Sequence, residues 1–162
     1  MARDLDKFFQ AVPPDQRYHL ELRTDLYLRD PVFEILAKHG VGQILSHWTW
    51  LPPLRKQLAK ASGRFFNAGN HGVIRLLTPL GMGYGDSYAR GFPFDKLVED
   101  LAQPEMILET VDIMRRALDQ KIALNILVNN RAGGNAPLIA QALMEKFLST
   151  GTPKPKSQMS LW

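Results

Sequence analysis

Four short segments of this chain alternate, and what they alternate between decides the fold. Tyr18-His19-Leu20-Glu21-Leu22-Arg23 places Tyr18, Leu20 and Leu22 on one face of an extended chain and His19, Glu21 and Arg23 on the other. Segment Val41–His47 sets Gln43, Leu45 and His47 together. Gly72–Leu77 aligns Val73, Arg75 and Leu77, and Ile122–Val128 aligns Ala123, Asn125 and Leu127, with Asn129 next in phase. Each segment therefore has an apolar side and a side that carries polar groups.

Between these strands the apolar spacing turns helical. Asp4–Val12 forms a first helix with Leu5, Phe8, Phe9 and Val12 on one face, stopped by Pro13-Pro14. Asp30 is the expected N-cap of a second helix, with Pro31 at its first helical position and Gly40 closing it. Further helices are expected over Leu54–Ala61, Phe94–Leu101 and Pro104–Asp119, and from Asn135 to near Leu148. The Gly-rich stretch Thr78–Pro93 is expected to be a long loop and a lid.

A helix followed by four strand–helix units implies a parallel sheet with right-handed crossovers. Both an open doubly wound sheet and part of a closed barrel fit that order. In a doubly wound sheet both faces of the central strands are covered, and they read as nearly continuous apolar runs. These strands do not. The expected fold is α/β, one half of a TIM-type (βα) barrel, with the polar faces turned into the lumen.

Composition narrows the classes. The 162 residues suffice for one domain, 45% are hydrophobic, and no apolar run reaches the ~20 residues of a membrane helix. There is no cysteine, so disulfides and thiolate metal sites are excluded, and a cytoplasmic location is the expectation. The opening residues carry no secretory signal pattern. The net charge of +4 is scattered rather than gathered on one face, which favours an anionic partner only weakly. The barrel domain is expected over 1–149, followed by a disordered Pro- and Lys-rich tail over 150–162.

Several residues could carry chemistry. Arg23 and Arg75 could hold a carboxylate or phosphate in bidentate fashion. Glu21 could act as a general base or simply pair with either arginine, and a Glu–Arg pair inside a barrel is also met as a plain core ion pair. His47, at a strand end, is the candidate for proton transfer near neutral pH, and also a candidate for a structural hydrogen bond. His19 and Gln43 lie nearer the strand starts and are read as core. The Asn129–Asn135 loop, with Asn130, Gly133 and Gly134, could cradle a phosphate at the start of the last helix. It could equally be a tight turn with an N-cap. Trp48 and Trp50 could stack on a sugar or base, or plug the barrel. The spacing of the four histidines supports no metal site, and no cofactor is named by any motif.

Leu20-Glu21-Leu22-Arg23, His39-Gly40-Val41, Ser46-His47-Trp48-Thr49-Trp50-Leu51-Pro52 and Asn129-Asn130-Arg131-Ala132-Gly133-Gly134-Asn135-Ala136-Pro137 together resemble the YecE-like family, also called domain of unknown function 72. The likeness runs over about residues 5–148, with the Asn-Asn to Gly-Gly-Asn-Ala loop its most specific part. It implies a TIM-type barrel, of which this chain matches only the C-terminal half, strands five to eight. After Arg75 the family commonly shows Leu-His-Gly, where this chain has Leu76-Leu77-Thr78-Pro79. The resemblance implies phosphate, sugar or nucleic-acid ligands and names no reaction. Functional expectations are therefore a phosphate- or sugar-containing ligand at the C-terminal strand ends, a nucleic-acid-binding module without catalysis, or a barrel half without activity of its own. A half-barrel leaves two strand edges bare, so self-association or a separate N-terminal half is the expected partner.

Overall fold

The computed structural model describes residues 2–149, so the expected tail over 150–162 lies outside the described residues. Four parallel strands, β1 (His19–Glu21), β2 (Gly42–His47), β3 (His71–Leu76) and β4 (Ala123–Val128), form one sheet in the order β1-β2-β3-β4. The helices are α1 (Ala2–Ala11), α2 (Asp30–Lys38), α3 (Leu54–Lys60), α4 (Tyr84–Gly91), α5 (Pro104–Asp119) and α6 (Ala136–Ser149). None is long and apolar enough to cross a membrane.

The strand order never reverses. With right-handed crossovers, every connection then returns over the same side of the sheet, and burial agrees. Residues paired across parallel strands share a face: Leu20 with Gln43, Leu45 with Ile74, His47 with Leu76, and Leu76 with Val128. Leu45, Ile74 and Leu76 are fully buried beneath Leu54 and Leu58 of α3, Met106, Val111 and Ile113 of α5, and Ile139 and Leu143 of α6. A second cluster joins Leu20 and Leu22 to Val32 of α2, Leu28 and Leu51. Burying each such side chain stabilises the fold by roughly 1.5–3 kcal/mol.

Among the described residues, no helix covers the opposite face. It presents Glu21, Ile44, Ser46, Val73, Arg75, Asn125 and Leu127, with Leu127 54% exposed. That is the asymmetry of a singly wound sheet, and it agrees with the polar alternation read from β1, β3 and β4.

Local choices follow the sequence closely at α2, α3, α5 and α6. Gly40 ends α2 at φ +66°, and a Cβ there would lie 2.8 Å from Cβ of Ala68. Asn135 caps α6, its Oδ1 accepting from the Leu138 N–H at 3.0 Å. Three expectations need correction. Asp30 is the first residue of α2 rather than its cap; the capping position falls to Arg29, whose side chain makes no capping bond. The expected lid loop contains α4. The expected helix over Phe94–Leu101 is a series of turns instead. Phe94 there has φ +66°, and the Val98 N–H donates to the Gly133 carbonyl at 3.0 Å instead of to a helical partner.

Candidate functional site

At the C-terminal half of the bare face, three strands bring one carboxylate and two guanidinium groups together. Glu21 on β1 is in register with Ile44, so its side chain points to the same side as Ser46, and Ser46 is in turn in register with Arg75 of β3. The Arg75 Nη1 donates to Glu21 Oε2 at 2.6 Å, the Arg23 Nη1 donates to the same oxygen at 2.9 Å, and the Ser46 hydroxyl donates to Oε1 at 2.6 Å. Both oxygens of Glu21 are thus engaged. Arg23 also stacks over the Trp48 ring, 4.6 Å from its centroid.

The electrostatics follow from these contacts. Burial pushes the Glu21 carboxyl up, but hydrogen bonds from Ser46 and Arg23 and the field of both arginines outweigh it, and the group titrates below its ordinary value. Glu21 is therefore ionised at neutral pH. Two guanidinium charges against one carboxylate leave the cluster with an excess positive charge. The Arg23 side chain is 49% exposed and that of Arg75 32%, so solvent and solutes reach both.

His47 does not belong to this cluster. It follows Ser46 directly, so the alternation of the strand turns it to the helix-covered side, in register with Leu76. It is 1% exposed, and its Nδ1–H donates to the Thr78 carbonyl at 2.8 Å. Burial lowers its pKa to about 4, against which the hydrogen bond to Thr78 acts only partly, so the ring is neutral near pH 7. The residue that shares Glu21's face is Ser46, a participant that sequence reasoning missed. Strand β2 has polar groups on both parities, and only pairing with Arg75 marks which parity faces the cluster.

The Asn129–Asn135 loop turns its polar groups inward on itself. Asn129 Oδ1 accepts from the Arg131 backbone N–H at 3.0 Å, and Asn130 Oδ1 accepts from the Ala136 N–H at 2.8 Å. Asn135 donates through Nδ2 to the Phe94 carbonyl at 2.8 Å. The first N–H groups of α6, expected to face a phosphate, are therefore already taken by asparagine side chains. Gly134, at φ +94°, lets the backbone approach the Lys96 carbonyl, which a Cβ would meet at 2.5 Å. A Cβ on Gly133 would meet Ile139 at 2.9 Å. The glycines serve close packing against the 94–102 segment.

His19 is structural in its contacts: both ring nitrogens lie 2.9 Å from carbonyl oxygens, those of Arg17 and His71. Gly42 makes room for it, since a Cβ there would lie 2.4 Å from the imidazole. Trp50 is 70% exposed, and Trp48 packs partly against the second core cluster. No group of three His, Asp or Glu gathers as metal ligands among the described residues.

A scan against family models and a search of curated proteins both find no match. Among solved structures, the chain is similar to a DUF72 family protein of Thermotoga maritima, with a TM-score of 0.51 and 18% sequence identity. The alignment covers 91% of this chain and 51% of that one, so the chain spans about half the length of the structure it matches. The likeness establishes a shared α/β fold with four parallel strands. It falls on the same family that the Glu-x-Arg strand and the Asn-Asn loop resemble.

Proposed function

We propose that the bare face of the sheet lines one half of a (βα)-barrel lumen, and that the Glu21–Arg23–Ser46–Arg75 cluster recognises the phosphate or carboxylate of a sugar-sized ligand. The observation that carries this reading is the sharing of one carboxylate by two guanidinium groups. Glu21 fixes both arginines in place yet neutralises only one charge, and planar guanidinium forks suit oxyanions. The C-terminal ends of barrel strands are also where such folds hold their ligands. Trp48, over whose ring Arg23 stacks, helps to hold that guanidinium beside the cluster.

Within this reading Glu21 positions the arginines and is not a free base, because both its oxygens already accept hydrogen bonds. His47 faces away, so the cluster accounts for binding and assigns no reaction. The edges of β1 and β4, unpaired among the described residues, accommodate further parallel strands, from a second copy or from a separate N-terminal half. Titration calorimetry of the chain with inorganic phosphate and with glucose 6-phosphate tests the proposal. Binding that weakens with salt and falls at least about tenfold in Arg75→Ala supports it. Equal affinity in Arg75→Ala, or none for either ligand in the native chain, defeats it.

A further inference from the structure

Apolar surface adjoins the ion cluster. Along the bare face, Ile44 of β2 is in register with Val73 of β3, two residues before Ser46 and Arg75. Leu127 of β4 is in register with Arg75 itself. Ile44 and Val73 are half-buried, and Leu127 is 54% exposed. A two-residue step along a strand is about 6.6 Å, and a step between strands about 4.8 Å. The three side chains therefore form one apolar patch that borders Arg75 on two sides. Asn125, in register with Val73, supplies a polar group at its margin.

The neutral and acidic groups beside the patch are committed to one another. Both oxygens of Glu21 accept hydrogen bonds, and the Ser46 hydroxyl supplies one of them. Asn129 Oδ1 accepts from the Arg131 N–H. Little here answers the hydroxyl groups of a polyol. The arginines differ. Among the described residues, Arg23 and Arg75 each bond Glu21 through Nη1 alone, and a guanidinium has five N–H donors, so each keeps an edge for a second oxyanion. The excess of one positive charge is balanced by a monocarboxylate and overshot by a phosphate dianion.

We propose that the ligand of this site is a monocarboxylate with a hydrocarbon body, its carboxylate on Arg23 and Arg75 and its body over Ile44, Val73 and Leu127. This rests on the anion-binding reading of the cluster and names the class of ligand within it. The Arg75 guanidinium reaches across Ser46 to Glu21, so Leu127 lies about two strand spacings away from it, roughly 10 Å. Hexanoate is long enough to span most of that gap.

Hexanoate and gluconate make a matched pair of probes. Each has six carbons and one carboxylate, but gluconate is covered in hydroxyl groups. In titration calorimetry at pH 8, where inorganic phosphate is mostly a dianion, hexanoate should bind the native chain at least about tenfold more tightly than gluconate or phosphate. Hexan-1-ol, which lacks the charge, should also bind at least about tenfold more weakly than hexanoate. In NMR, hexanoate should move the methyl resonances of Ile44, Val73 and Leu127. Leu127→Ser should narrow the hexanoate-to-phosphate affinity ratio at least about threefold. Gluconate or phosphate binding as tightly as hexanoate, or a ratio untouched by Leu127→Ser, overturns the hydrocarbon body and leaves the anion site standing. Hexan-1-ol binding as tightly as hexanoate overturns the role of the carboxylate. Failure of hexanoate, gluconate and phosphate alike to bind overturns this proposal and the anion site together. Methyl resonances that move with chain concentration and not with hexanoate overturn it in favour of a second copy lying on this face.

Discussion

The two faces of the sheet are built from alternate residues of the same four strands, yet they follow different rules. On the covered face, Leu45, Ile74 and Leu76 are sealed under three helices, and position there answers to volume. On the bare face, Glu21, Ser46 and Arg75 meet across three strands, and position there answers to charge and hydrogen bonding. Ser46 and His47 make the contrast sharpest. They are neighbours in sequence, yet one joins the ion cluster and the other is a desolvated, neutral imidazole. Polarity alone does not make a site residue; the face it is assigned to does.

The largest effect should separate the faces by packing. Leu45→Ala or Ile74→Ala should lower unfolding free energy by about 2–5 kcal/mol in urea denaturation, whereas Leu127→Ala should cost only about 0.5 kcal/mol. A Leu127→Ala cost as large as the other two would mean that the bare face is covered in solution, and would erase the difference.

The next effect is a pH dependence belonging to the covered face. His47 titrates at about 4 in the folded chain, against an ordinary 6.5. The unfolded chain therefore takes up the proton first. Stability from this group is complete above pH 6.5 and declines as the pH falls toward 4, by about 3 kcal/mol in all. His47→Gln should flatten that part of the stability–pH curve, measured by denaturant titration between pH 7 and 4.

On the bare face the sign is the same, the window is lower and the size is smaller. Glu21 is held below its ordinary value, so its contribution is present above the usual carboxylate range and is lost as the pH falls through the folded value. Glu21→Gln should cost about 1–2 kcal/mol at pH 7, discounted for the exposure of both arginines. A neutral or stabilising result would remove the ion cluster from any structural role. Ser46→Ala should have the smallest effect, about 0.5–1.5 kcal/mol, because it removes one hydroxyl donor from a carboxylate that keeps two others.

Much of this was legible in the sequence, for reasons that also mark the limits. Strands β1, β3 and β4 have polar groups on one parity only, so Glu21 and Arg75 could be assigned to a common face before any pairing was known. Strand β2 has Gln43 and His47 on one parity and Ser46 on the other. Periodicity cannot choose between them, and the larger, more reactive side chains drew the wrong inference. Helix α4 was hidden by the glycines around it: Gly81 and Gly83 precede it, and Gly85 and Gly91 lie within it. The absent helix over Phe94–Leu101 was beyond local reading, because what holds that segment is a carbonyl more than thirty residues away, that of Gly133. The Asn129–Asn135 loop read equally well as a phosphate cradle or as a capped turn. Its use of asparagine side chains to occupy the helix start became visible only once the atoms were placed.

The unreversed strand order has a consequence for how this chain tolerates change. Because no connection ever crosses to the other side, odd and even positions of each strand form two separately editable alphabets. A designer could rewrite the bare set to carry other polar groups while leaving the covered set, and with it the folding core, untouched.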